Sequence, residues 1–397
     1  MATKRTKNKS TVKRAAKKKK GVRVKVVGVG GAGCAVINRL AQNKIGQIEF
    51  IAINTDRQSL ANTTACKKIR IGRKTTKGLG TGMNPVLGQQ AAQESQKEIK
   101  QALQGADIIF FVAGLGGGTA SGALPIILDT IKDLDILTIA VVTKPFTFEG
   151  SRKSMIADQS LNILNNKADT LIALSNENIL YLIDRKTSLL DAFKSVDDIL
   201  EHTISNITDI VNFSGLINLD LADLKTVLAD AGRALLGIGE AEGEGRSVRA
   251  VRSAIDSPFF SLSFKGSKGI VFIMAGGDNL SIHEVNEAAK HVIGAVDSDC
   301  RVVFGVATNP AMGNKVRVTV IATGFSQNPM PHLESVSNNI PINVRESNRL
   351  SQPEPGAINI TPEPSVKAGE TFKDGQKIPE PTDELEIPSF LRKKKII

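Results

Sequence analysis

Three glycine-rich stretches stand where a short apolar run gives way to an amphipathic one. They are Gly28-Val29-Gly30-Gly31-Ala32-Gly33, Gly78-Leu79-Gly80-Thr81-Gly82-Met83-Asn84-Pro85 and Gly114-Leu115-Gly116-Gly117-Gly118-Thr119. Glycine permits a tight turn and lets backbone N–H groups approach phosphate oxygens, and a following helix adds partial positive charge at its N-terminus. The chemistry implied is phosphate binding. No Gly-Lys-Ser or Gly-Lys-Thr lies near these loops, which excludes a lysine-bearing phosphate loop. Binding must lean on backbone amides, helix dipoles and a metal ion.

Taken alone, the first loop also fits a dinucleotide fingerprint. Asp56 lies at the end of the next strand, where a ribose-binding acid would sit. A dinucleotide-dependent oxidoreductase is therefore a rival reading. The loop at 114–119 weighs against it, because a dinucleotide fold needs one pyrophosphate loop. Two glycine loops on neighbouring strand ends can embrace a longer, more highly charged chain such as a triphosphate.

Two carboxylates form the next candidate. Asp220 and Asp223 stand three apart at the start of an apolar run, near one face of a helix N-terminus. Capping explains them without any chemistry, since Asp is a favoured N-cap and first-turn residue. A long helix upstream opens a second explanation. Leu189, Phe193, Val196, Leu200, Ile204, Ile207 and Val211 repeat at spacings of three and four. The helix they predict is roughly 35 Å long, and it separates its own start from Asp220 by about a domain diameter. If a nucleotide binds at that start, these acids are too far away to act on it in the same chain. Catalysis by them would need a neighbour's nucleotide and a head-to-tail contact that does not close but builds a filament.

The elements that must position these groups alternate. Strands are expected at 22–29, 48–54, 68–71, 107–113, 136–143 and 170–174, and helices at 32–42, 85–103, 121–134 and 153–166. The strands are rich in Val and Ile and bounded by Gly, Asn, Asp or Pro. This pattern predicts a largely parallel sheet covered on both faces. A second α/β unit follows over 215–324, with strands at 259–264, 269–274, 301–308 and 316–322 and a helix at 281–293. The expected division is a basic arm (1–20), a nucleotide-binding domain (21–186), the central helix (187–214), the second α/β domain (215–324), a linker (325–381) and a docking peptide (382–397).

Composition bounds the rest. The formal net charge is +11, yet residues 1–20 hold ten Lys or Arg and no acid, so the remainder is nearly neutral. A basic nucleic-acid-binding body is excluded, while the arm offers weak contact to anionic lipid or nucleic acid. Cys34, Cys66 and Cys300 show neither metal nor disulfide spacing. No apolar run approaches the ~20 residues of a membrane helix, and no secretory signal is evident, so a cytoplasmic location is expected. Residues 325–381 carry nine of the 15 prolines and read as a flexible linker. Beyond it, Asp383-Glu384-Leu385-Glu386-Ile387-Pro388-Ser389-Phe390-Leu391 reads as a docking motif on a tether, followed by Arg392-Lys393-Lys394-Lys395.

These motifs, in this order, resemble the FtsZ family of tubulin-like cell-division GTPases. Gly114–Gly122 (GLGGGTASG) is similar to the tubulin signature, and Gly30–Cys34 to the family's first phosphate loop. Thr143-Lys144-Pro145-Phe146-Thr147-Phe148-Glu149-Gly150 matches a stretch whose Glu contacts ribose. Gly215-Leu216-Ile217-Asn218-Leu219-Asp220-Leu221-Ala222-Asp223 matches the catalytic synergy loop, and 383–391 the peptide that docks onto FtsA- and ZipA-like adaptors. The resemblance covers 22–324 and 383–391. It implies an α/β tubulin/FtsZ-like fold: a Rossmann-like GTPase domain with a parallel sheet, a long central helix and a second, smaller α/β domain. It further implies GTP and Mg²⁺, head-to-tail filaments forming the division ring at mid-cell, and hydrolysis completed between subunits.

Carried over by position, phosphate contacts fall on Gly30, Gly31, Ala32, Gly33, Cys34, Gly117, Gly118 and Thr119, ribose on Glu149, and base on Asn176, Phe193 and Asp197 or Asp198. The candidate nucleotide set also takes in Asp56, Gly80, Gly82, Asn84, Gly116, Ala120, Arg152 and Lys153, and the catalytic set is Asn218, Asp220 and Asp223. No protein metal ligand is assigned. Three departures from the family pattern stand out. Ala120 replaces a signature glycine, so its methyl narrows the phosphate site or demands a negative φ. Met83 replaces a usual glycine, and Lys153 a usual arginine, with Arg152 adjacent. These departures keep open a scaffold that binds GTP with impaired hydrolysis.

Overall fold

The computed structural model describes residues 21–325 apart from 44–47, 66, 182, 185, 213–216, 218 and 258–265. The arm, the linker, the docking peptide, the 259–264 strand and Asn218 fall outside the described residues.

Strands β1 (Val24–Val29), β2 (Ile48–Asn54), β3 (Lys67–Arg70), β4 (Ile108–Gly114), β5 (Leu137–Lys144) and β6 (Thr170–Ser175) pair in parallel in the order β3-β2-β1-β4-β5-β6. Helices α1 (Gly30–Leu40), α2 (Arg57–Ala61), α3 (Pro85–Glu94), α4 (Gln96–Leu103), α5 (Gly118–Ile131) and α6 (Ser151–Leu164) connect them. The central strands are buried on both faces: every residue of β1 and all but the last of β4 are buried. Near-continuous Val, Ile and Phe is the sequence cost of that position. Two apolar cores result, one on each face.

The 24-residue helix α7 (Leu189–Asn212) comes next. Leu200, Ile204 and Ile207 are fully buried, as their spacing requires. Helix α8 (Leu221–Leu228) leads into β7 (Gly232–Glu242), which extends the sheet in parallel beside β6. Helix α9 (Arg246–Ile255), β8 (Gly269–Gly276), α10 (Ile282–Gly294), β9 (Arg301–Thr308) and β10 (Lys315–Thr323) complete the order β7-β10-β8-β9, with β10 antiparallel to both neighbours.

Several sequence expectations need correction. The helix expected over 85–103 is two helices, because Ser95 leaves helical geometry and its buried hydroxyl accepts from the Gly72 N–H at 3.2 Å. Helices expected to begin at 32 and 121 begin at Gly30 and Gly118, so the end of each glycine loop is itself the first helical turn. Strand β7 and helix α9 were not expected. Their glycine content hides the strand, yet Gly239 is where α9 crosses: a Cβ there would lie 2.0 Å from the Ala250 carbonyl oxygen.

Candidate functional site

The glycine loops gather at the carboxyl edge of the parallel strands. Helix α1 opens directly from β1 and α5 follows β4, its neighbour in the sheet. Neither helix carries a side-chain cap, so the orphan N–H groups of both first turns face outward. A Cβ built on Gly31 or Gly117 would touch nothing within 4 Å. The space beyond these two positions, lined by N–H groups and positive helix ends, suits an anion. The Leu115 N–H donates to the Thr143 carbonyl at 2.9 Å and the Gly116 N–H to Ser121 Oγ at 3.1 Å, which fixes the loop between strand and helix.

The third loop closes against α5. A Cβ on Gly118 would lie 2.5 Å from both the Asn84 nitrogen and Thr81 Oγ1. Three hydroxyls join the loops: Thr119 Oγ1 lies 2.8 Å from Thr55 Oγ1 and 3.2 Å from Thr81 Oγ1. Composition alone did not single out Thr55 or Thr81, although each adjoins a residue that was chosen. Gly80 and Gly82 both adopt positive φ in open space, and Asn84 caps α3 through the Val86 N–H. Met83 sits at φ +62, a conformation costing a non-glycine residue about 1–2 kcal/mol. A β-branched residue tolerates it less well. Met83→Ile should therefore weaken nucleotide affinity about tenfold while Met83→Gly does not, as measured by equilibrium nucleotide titration.

The remaining expected contacts divide. Within α1, Gly33 and Cys34 are buried, while Gly31 and Ala32 are exposed. Burial pushes the Cys34 thiol up to about 11, so it stays protonated and acts by packing. Ala120 lies inside α5 and is 4% exposed, its methyl against Gly30. The negative φ that Ala120 demands is met, because helical geometry supplies it. Asp56 also has a role in the fold. It caps α2 by accepting from Gln58 and Ser59, and its backbone bridges to Leu79.

At the other side of the site, Glu149 accepts from the Phe146 N–H at 3.0 Å and from Lys153 Nζ at 2.8 Å. Arg152 is exposed beside it. Phe146 is buried, stacks on the exposed Phe148 and meets Phe193 edge-on at 5.6 Å. Asn176, immediately after β6, is 7% exposed, and its Oδ1 has no hydrogen-bond partner. A buried amide oxygen without a donor is costly, and a purine N–H would satisfy it. On α7, Phe193 and Asp197 share a face, being four residues apart. Asp197 is buried and ion-paired with Arg39, whereas Asp198 is exposed. Of the two candidate aspartates, the inward one is Asp197.

Asp220 and Asp223 lie elsewhere. Asp220 caps α8, accepting from the Asp223 N–H at 2.8 Å, and both side chains are exposed. Helix α8 is anchored at the opposite edge of the sheet. Lys225 Nζ reaches Asp135 Oδ1 at 3.0 Å, just before β5 begins, and Thr170 Oγ1, at the start of β6, donates to the Leu228 carbonyl.

Backbone-lined anion cradles, a buried amide oxygen without a partner and a long helix behind a parallel sheet define a nucleotide-binding α/β protein whose phosphate loops carry no lysine. Residues 23–184 match the Tubulin/FtsZ family GTPase domain and residues 232–326 the FtsZ family C-terminal domain. The empty FtsZ dimer of M. jannaschii is 37% identical and superposes with a TM-score of 0.74, covering 77% of this chain and 89% of that one. A point mutant of the same protein is 38% identical, with TM-score 0.73 and coverage of 77% and 92%. The GTPγS-bound CetZ2 protofilament of Haloferax volcanii, at 20% identity and TM-score 0.67 over 78% and 95%, shares the fold. The chain belongs to the FtsZ family, GTP-hydrolysing cytoskeletal proteins of the tubulin superfamily. It binds guanine nucleotide, and the oxidoreductase reading is overturned.

Proposed function

We propose that this GTPase polymerises head to tail and that each subunit completes the active site of the next. One observation carries the reading: Asp220 and Asp223 stand at the edge of the sheet opposite the glycine loops. Strand β5 alone spans eight residues, about 26 Å. No side-chain motion closes that gap, whereas stacking one subunit on another brings the two edges together.

In this reading, the N–H groups of Gly30–Cys34 and Gly116–Ala120 hold the phosphates, with Gly80, Gly82 and Asn84 closing over them. Glu149 takes the ribose, Lys153 and Arg152 add positive charge, and Asn176, Phe193 and Asp197 hold the guanine. From the next subunit, Asp220 and Asp223, with Asn218, orient and polarise the attacking water. The fixed N–H dipoles stabilise charge on the transferred phosphoryl group. Hydrolysis then weakens the interface and allows turnover.

Among the described residues, no group of three or more His, Cys, Asp or Glu could hold a metal. The Thr119 and Thr55 hydroxyls would help to hold Mg²⁺ beside the phosphates, and the ion would supply neutralising charge there. The same reading places the polymer in the cytoplasm, in the division ring at mid-cell. Residues 383–391 dock FtsA- or ZipA-like adaptors, and the basic arm adds weak contact to anionic lipid or nucleic acid. Among the described residues, no helix is long and apolar enough to cross a membrane.

Right-angle light scattering, with phosphate release followed in parallel, tests the proposal. GTP should raise both signals, GDP and ATP neither. Scattering without phosphate release would instead identify a non-hydrolysing scaffold.

A further inference from the structure

We infer that Arg39 is a positioning residue for base selection: by ion-pairing with Asp197 from the neighbouring helix, it keeps that carboxylate ionised and thereby enforces guanine over adenine. The inference rests on the proposed placement of the base against Asn176, Phe193 and Asp197, and goes beyond it.

The geometry is specific. Arg39 lies in the last turn of α1, the helix whose N-terminus faces the phosphates. Its Nε meets Asp197 Oδ2. The Asp197 side chain is 8% exposed and that of Arg39 is 40% exposed, so the pair lies at the lip of a buried surface. Phe193 and Asn176 flank the same region. Phe193 is on the Asp197 face of α7, and Asn176 opens the short helical turn at Asn176–Tyr181 that packs on α7. A carboxylate has two oxygens and about four acceptor sites, so pairing through Oδ2 still permits acceptance from a ligand.

The chemistry of the two purines turns on this charge. Guanine presents N1–H and an exocyclic amino group, both donors, and an ionised carboxylate accepts from them. Adenine presents N1 as an acceptor beside its 6-amino donor. An ionised carboxylate repels that N1 lone pair, whereas a protonated one donates to N1 and accepts from the amino group. The protonation state of Asp197 is therefore a selectivity element. Burial pushes this carboxyl above its usual range, and Arg39 opposes that push; the neighbouring Asp198 adds to it. From the turn packed on α7, Glu177 is occupied with the Thr147 N–H. Arg39 is thus the cation that faces Asp197 from α1, and removing it leaves burial and Asp198 acting together to neutralise the group.

The experiment measures GTP, ITP and ATP affinities by fluorescent-nucleotide displacement between pH 5.5 and 8. It compares the full chain with Arg39→Met, Arg39→Lys and Asp197→Asn, each checked for folding by circular dichroism. The parent should prefer GTP over ATP at every pH. In Arg39→Met the preference should fall at least tenfold at pH 5.5 and recover towards pH 8, and Arg39→Lys should restore a flat profile. A merely structural role for Arg39 would lower all three affinities together without a pH-dependent ratio, and that result overturns the inference. The Asp197→Asn arm separates the two levels. If it leaves the GTP-to-ATP ratio unchanged, the base placement itself is wrong. If it collapses the ratio while Arg39→Met does not, only the role of Arg39 fails.

Discussion

Asp223→Ala should bind GTP as the parent does and lose turnover by about 10²–10⁴-fold, the range for a positioned acid or base. Asp223 is exposed in the first turn of α8 and, among the described residues, has no ion-pair partner, so the fold should tolerate the change. Asp220 is a poorer test, because its carboxylate caps the helix and its loss would cost about 1 kcal/mol of helix stability as well. The complementary variant is Gly31→Asp. A side chain at Gly31 meets open space and an acid in a first helical turn is favourable, yet it puts negative charge where phosphate must sit. Each variant alone should be inactive. Mixed, they form interfaces that pair an intact nucleotide site with an intact Asp223, and phosphate release should partly return. A mixture that co-assembles but stays inactive would show that the site is not shared.

Arg246→Leu should destabilise the protein by about 3 kcal/mol, the lower end of the range for breaking a buried ion pair, since Glu284 keeps a quarter of its side chain exposed. All five guanidinium donors of Arg246 are used. Nε and Nη2 hold Glu284 at 2.6 and 3.1 Å, and the rest go to Asn279 Oδ1, the Asn279 carbonyl and the Asn314 carbonyl. One side chain thus fastens the start of α9 to the capping box of α10 and to the turn before β10. Leucine fills the volume but supplies no donor to Asn279 or Asn314 and leaves Glu284 with the Ser281 N–H of the capping box. The Arg246 hydrogen bond, ahead of the opposing effect of burial, holds the Glu284 carboxyl below its usual range. A depressed carboxyl contributes stability that is present above its unfolded pKa and lost as pH falls through the folded one. Urea denaturation should therefore show the parent's advantage over the variant in full at neutral pH and shrinking only below about pH 4.

Much of this architecture was legible because the residues that build it repeat locally. Strand β2 spans 48–54 as expected, and α7 follows its three-and-four spacing from Leu189 to the residue after Val211. What escaped the sequence depends on distant partners. The break at Ser95 is set by Gly72, 23 residues away. Strand β7 is disguised by Gly232, Gly237 and Gly239, of which Gly239 is required by the passage of α9. In the site, glycine spacing revealed the loops, but only geometry separates Asp197 from Asp198 and turns Asp56 into a helix cap. Ala120 is the clearest case. It departs from the family's signature, yet it falls two residues past the point where the backbone becomes helical, so a glycine is not needed there.

The central claim is that one subunit's acids serve another subunit's nucleotide, and the most direct measurement is phosphate release per molecule as protein concentration is varied at saturating GTP. A shared site predicts almost no release below a threshold concentration. Above it the rate should climb steeply and then level off, and light scattering should appear at the same threshold. A per-molecule rate that stays constant from the lowest concentration upward would mean that each chain hydrolyses GTP alone, and would contradict the account.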